Sequence, residues 1–115
     1  MRRYFTFALL LCSIRVMAQP AAVSPTGNGT SANPYLIQSV GNLLWMANDS
    51  SHWSASYKQT SNLDITASSG WNGGNGWKPI GDSITPFTGT YDGDHFFIKG
   101  MYINNSSLSE VGLFG

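Results

Sequence analysis

The most constraining stretch of this chain is its last, from Trp77 to Gly115. It reads Trp-Lys-Pro-Ile-Gly, then Phe-Thr-Gly-Thr-Tyr-Asp-Gly-Asp, then His-Phe-Phe-Ile-Lys-Gly-Met-Tyr-Ile, and ends Val-Gly-Leu-Phe-Gly. Short apolar runs, each closed within a few residues by a glycine or an Asp-Gly pair, leave no room for a long helix or a long strand. Such a chain turns corners at short, regular intervals. Phe96 and Ile98 share one face and Met101 and Ile103 another, and Gly100 between them marks a bend that brings both pairs to one interior.

Charged residues make up 10% of the chain, against roughly 25% in ordinary soluble domains. Ser, Thr, Asn and Gly supply the polarity instead, and they favour turns and strand edges over helix interiors, which excludes an all-helical protein. The balanced formal charge conceals an asymmetry. Arg2, Arg3 and Arg15 lie in the leading segment, and beyond it Lys58, Lys78 and Lys99 face Asp49, Asp64, Asp82, Asp92, Asp94 and Glu110. With no arginine past Arg15 there is no basic stripe for a phosphate backbone, and nucleic acid is excluded as a partner. Cys12, the only cysteine, lies in the same leading segment. The remainder must fold without disulfides or thiol ligands, which suits a bacterial surface better than a small animal secreted module.

Residues 1–18 have the pattern of a cleavable signal peptide: Arg2 and Arg3, an apolar run from Phe5 to Ile14, and Val16-Met17-Ala18 before Gln19. The apolar run is too short for a permanent span, and Leu11 is too bulky for a lipidation motif at Cys12. The expectation is cleavage between Ala18 and Gln19 and a secreted or cell-surface location, with no transmembrane segment after the signal. Residues 19–33, rich in Pro, Gly, Ser and Thr, predict a flexible leader. A folded module then runs over 34–115.

Within it, Tyr35-Leu36-Ile37 predicts a strand, and Ser39 predicts the cap of a helix whose apolar face is Val40, Leu43, Leu44 and Ala47. Residues 57–66 predict a second pair of short strands, 67–76 a loop without regular structure, and 77–80 a further strand. Val111, Leu113 and Phe114 begin another.

The pattern Phe87-x-Gly89-x-Tyr91-Asp92-Gly93, followed by Ile98-x-Gly100-Met101-x-Ile103 and by Val111-Gly112-Leu113-Phe114-Gly115, resembles the repeats ending in the GLUG motif of exported bacterial surface proteins. Residues 27–30, 34–37, 40–48, 57–65 and 77–81 are similar to the segment that precedes the first repeat in such proteins. The resemblance implies a mainly β fold: the start of a right-handed parallel β-helix with a short N-terminal capping helix, incomplete at the C-terminus. It also implies the company of adhesin-like proteins and of the noncatalytic part of immunoglobulin A proteases. One departure stands out. The turn reads Asp92-Gly93-Asp94-His95 where the family has Asp-Gly-Asn-Gly, so a positive φ at the fourth position falls to His95.

No catalytic, metal or cofactor site is expected. Asp82, Asp92 and Asp94 have the chemistry of calcium ligands, but Asp-Gly is a turn signal in its own right and no full loop of spaced ligands follows. The helical His-Glu-x-x-His metal motif is absent, and His52 and His95 are tied to no serine or carboxylate by any motif, so both read as loop histidines. Asn28, Asn48 and Asn104 head glycosylation triplets that so many Asn and Ser residues produce by chance. Trp45 and Trp77 are expected to be packed, whereas Trp53 and Trp71 lie in polar loops and are the candidates for stacking on a sugar ring or a partner surface. The expected role is an exported noncatalytic surface module for adhesion or binding of a glycan or a host or matrix protein. The alternatives are the noncatalytic N-terminal region of an exported protease or polysaccharide-active enzyme, and a spacer or capping scaffold.

Overall fold

The computed structural model describes residues 19–115; the expected signal peptide over 1–18, with Cys12 and the expected cleavage after Ala18, lies outside the described residues. Strand β1 (Tyr35–Ile37) runs into helix α1 (Val40–Asn48). Ser39, with extended backbone, accepts the Asn42 N–H on its Oγ at 3.2 Å and caps the helix as its sequence position predicts. Leu43, Leu44, Met46 and Ala47 form its buried stripe. A 3₁₀ turn (Ser50–His52) leads to β2 (Ser56–Gln59) and β3 (Leu63–Asp64), and two more 3₁₀ turns (Thr66–Gly70, Asn72–Gly74) precede β4 (Thr90–Asp92) and β5 (Ile98–Lys99). The loop expected over 67–76 thus carries short helical turns.

All strand pairing is parallel: β1, β2 and β4 form one sheet in that order, and β3 and β5 form a second. Tyr35, Tyr57 and Tyr91 are in register across the first sheet, with ring centroids 5.4 Å and 6.5 Å apart. Leu63 stands opposite Ile98 in the second.

The expected right-handed parallel β-helix, and with it the mainly β class, is corrected here. The strands are only two to four residues long, they fall into two separate sheets, and neither sheet closes. The described residues form a small globule with one α-helix and a few short parallel strands, most of them being in turns, 3₁₀ turns or irregular structure. The strands expected at 77–80 and 111–114 shrink to single bridges, Gly76 with Ile103 and Ile80 with Phe114. Pro79 has no N–H for a ladder, and glycines on either side end each apolar run before pairing can spread.

Residues 19–33 also differ from the flexible leader expected. The Val23 N–H donates to the Gly41 carbonyl at 3.0 Å, Leu36 N–H to the Thr26 carbonyl at 3.0 Å, and Ser56 N–H to the Gly29 carbonyl at 2.8 Å. Pro25 is buried. Asn42, itself buried, holds this segment to the helix: its Nδ2 donates to the Val23 carbonyl at 2.9 Å while its Oδ1 accepts the Gln38 N–H at 3.1 Å.

One apolar cluster joins the elements, with Ile37, Leu43, Met46, Tyr57, Leu63, Ile65 and Ile80 at its centre. Ile98, Met101, Ile103, Leu113 and Phe114 pack half-buried against it. Two more buried polar side chains stitch it together. Gln59 donates to the Ser61 and Phe97 carbonyls at 2.9 and 3.0 Å and accepts the Tyr91 hydroxyl at 2.9 Å. Ser68 donates to the Gly100 carbonyl at 3.2 Å and accepts the Tyr102 N–H at 3.0 Å. Among the described residues no buried side-chain polar atom lacks a partner, as a stable interior requires.

Candidate functional site

Four aspartates each spend one carboxylate oxygen on closing a turn. Asp49 Oδ1 accepts the Ser51 N–H and hydroxyl at 3.0 and 2.6 Å, and Asp64 Oδ1 those of Thr66 at 2.9 and 2.6 Å. Asp82 Oδ1 takes the Ile84 and Thr85 N–H groups at 2.9 and 2.7 Å, and Asp92 Oδ1 that of Asp94 at 2.9 Å. Hydrogen bonds to the ionised form favour it: the Ser51 hydroxyl, the Thr66 hydroxyl and the Thr85 N–H hold the Asp49, Asp64 and Asp82 carboxyls below the usual carboxylate range. His52 stacks on Trp45 with centroids 4.3 Å apart, and its Nε2 lies 3.4 Å from Asp49 Oδ2. His95 takes φ 67° directly after Asp94 at φ 47°, the left-handed backbone that the missing turn glycine transfers to it. Among the described residues no three His, Cys, Asp or Glu side chains gather as a metal site would need.

Trp53 and Trp71 do not lie where the polar loops around them suggest. They are 7% and 3% exposed, and Trp53 Nε1 donates to the Met46 carbonyl at 2.8 Å. Neither ring presents a face to a ligand, because both belong to the shared apolar core, the simplest way to bury so large an apolar area.

The glycine-rich motif residues tie the later half of the chain to the earlier half. Phe87 packs on Phe114 at 4.9 Å and on Tyr57 at 6.0 Å. At Gly89 a Cβ would overlap the Ala55 carbonyl, and at Gly100, with φ 79°, it would overlap Thr66, so a close approach at both points demands glycine. The Gly93 carbonyl accepts the Phe96 N–H at 2.9 Å, the Leu113 carbonyl accepts the Ile80 N–H at 2.8 Å, and Gly115 N–H donates to the Ile80 carbonyl at 2.9 Å. Gly112 lies in the bend before Leu113.

The surface feature best suited to a ligand is a trough running over Lys78 and Leu108. It joins two depressions of about 240 and 250 Å³ that share these residues. One arm is lined by Asn72, Asn75, Asn105 and the edge of Trp77, the other by Asp82, Ser83, Ile84, Ser109 and Glu110. Its floor is fixed where the Trp77 N–H donates to the Tyr102 carbonyl at 2.7 Å and the Asn104 N–H to the Asn75 carbonyl at 2.8 Å. Asn105 Oδ1 is used by the Ser107 N–H and hydroxyl at 3.1 and 2.6 Å, leaving its Nδ2 free among the described residues, as is the whole Asn75 amide. The Tyr102 ring, beside Gly76, is 40% exposed. Tyr102 lines neither depression; the trough itself offers amide donors and acceptors beside the edge of the buried Trp77, and no nucleophile held by a base. Sequence reasoning missed it, because its two walls come from distant stretches that only the Gly76–Ile103 bridge brings together; the asparagine runs at 72–75 and 104–105 were the available signal. A second groove, of about 470 Å³, follows the outer face of β1, β2 and β4 past Leu36, Lys58 and Asp92.

No protein-family profile and no solved structure matches this chain. It is 41% identical over 92 residues to Halomucin of Haloquadratum walsbyi, an alignment covering 78% of this chain and 1% of that protein. It is also 33% identical over 125 residues to a chain of Evansella cellulosilytica described as a Gly-rich membrane protein, covering 98% of this chain and 14% of that one. The chain thus spans only a small part of the length of the relatives it matches. These similarities fit an extracellular, surface or membrane-associated location. Among the described residues no helix is long and apolar enough to cross a membrane.

Proposed function

We propose that this chain is a noncatalytic surface module, exported by its leading segment, whose trough over Lys78 and Leu108 binds a glycan. The observation that carries the reading is the pair of free Asn75 and Asn105 amide groups lining one arm of the trough beside the edge of Trp77. Sugar hydroxyls need donors and acceptors in close sequence, and the apolar face of a sugar ring packs on an aromatic one. Asp49, Asp64, Asp82 and Asp92 each spend one carboxylate oxygen on a turn, which supports the noncatalytic part. The GLUG-type ending of the sequence and the similarity to Halomucin support a place among surface proteins.

The test is a glycan array probed with residues 19–115, beside an Asn75→Ala/Asn105→Ala double variant and a Lys58→Ala control in the other groove. Losing two neutral hydrogen bonds should weaken binding by about tenfold or more, while Lys58→Ala leaves it unchanged. Binding that ignores the double substitution would remove the trough from the reading. Retention by matrix proteins with no glycan bound would replace the sugar by a protein partner.

A further inference from the structure

The chain holds three Asn-Gly pairs, at 28–29, 72–73 and 75–76. In such a pair the glycine amide nitrogen can reach the asparagine side-chain carbon, because no Cβ stands in its way. The three differ sharply in how far the fold permits this. The Gly29 N–H donates to the Asn33 carbonyl at 3.0 Å, and Asn28 Oδ1 is further held by the Thr30 N–H and hydroxyl at 3.2 and 2.8 Å. The Gly76 N–H donates to the Trp71 carbonyl at 3.1 Å, and Gly76 is buried against Tyr102. Gly73, in contrast, makes no N–H hydrogen bond among the described residues, and nothing lies within 4 Å of where its Cβ would be. Asn72 is exposed, and its one tie runs from Nδ2 to the Gly76 carbonyl at 2.8 Å. That bond holds the nitrogen that must leave and keeps the carbonyl carbon open.

We infer that Asn72 is a self-modification site, at which the Gly73 amide and water convert the asparagine to a mixture of aspartate and isoaspartate. The Gly73 nitrogen gives up its proton and attacks Asn72 Cγ; the new N–Cγ bond forms, the Cγ–Nδ2 bond breaks, and Nδ2 departs as ammonia with that proton. Water then adds to either carbonyl of the cyclic imide and opens it, leaving the carboxylate on the side chain or on the main chain. The balance is one water in and one ammonia out, with no change of oxidation state. The product puts a negative charge on the amide arm of the trough and deletes the donor to the Gly76 carbonyl. Its effect on a ligand rests on the glycan reading above; the chemistry does not.

The experiment is peptide mapping by mass spectrometry of the full chain aged in mildly alkaline buffer at physiological temperature, native and in denaturant. In the native chain a gain of about one dalton should build up at residue 72 roughly fivefold or more faster than at 28 or 75, the factor imposed by opening one backbone hydrogen bond before attack. In denaturant the three rates should draw together. Conversion at 28 or 75 ahead of 72 in the native chain, or a spread no wider than in denaturant, would overturn the assignment.

Discussion

Gln59 is the side chain through which the two sheets meet. At 1% exposure it reaches the Ser61 and Phe97 carbonyls and the Tyr91 hydroxyl, so one amide serves β2, β4 and the approach to β5. Gln59→Leu takes this partner from the Ser61 carbonyl and the Tyr91 hydroxyl and one of two N–H donors from the Phe97 carbonyl, which keeps its bond from Leu63. The expected loss is about 1–3 kcal/mol in urea unfolding; a loss under about 0.5 kcal/mol would mean the freed groups find other partners. Nothing in Tyr57-Lys58-Gln59-Thr60 announces this role, because it arises only when the β4–β5 turn carries Phe97 across. His95 is the opposite case. A turn that lacks its second glycine must borrow left-handed backbone from the residue in its place, and the sequence says which residue that is.

At the level of elements, α1 was legible because two independent signals agree: a capping serine and a repeat of apolar residues one helical turn apart. Ser39→Ala should lower stability by about 1 kcal/mol and Ser39→Gly by only a few tenths, read from thermal unfolding. Equal losses for both would deny the cap its role. β1 and β2 were also legible from apolar runs bounded by turn residues. The run at 77–80 looks the same on paper, but a run does not reveal that its partner leaves after one bridge. Composition misled twice. Residues 19–33 have the make-up of a linker, yet Val23 is tied to the helix by two hydrogen bonds and Pro25 is buried. Trp53 and Trp71 sit among polar residues in sequence yet join the apolar core, while the trough over Lys78 draws on residues with no mark of function in isolation.

For the whole molecule, ionisation sets the limits of stability. Asp49, Asp64 and Asp82 have lowered pKa values in the folded state, so their contribution is complete above the ordinary carboxylate range and is lost as pH falls through the lowered values. Tyr57 and Tyr91 are shifted upward by burial, so theirs is complete below the ordinary phenol value and is lost as pH rises past it. Thermal midpoints should therefore be flat between about pH 4 and pH 10 as far as these groups decide, and fall on both sides. A steep change between about pH 5 and pH 8 would show that a group outside this set dominates.

The register of Tyr35, Tyr57 and Tyr91 carries one more consequence. Neighbours in that ladder are more than twenty and more than thirty residues apart along the chain, so no hairpin can zip them together and each contact waits for a long segment to close on itself. The tempo of acquiring the native state is set by this search, and a newly made chain passes its slowest moments with bare strand edges exposed to whatever is nearby.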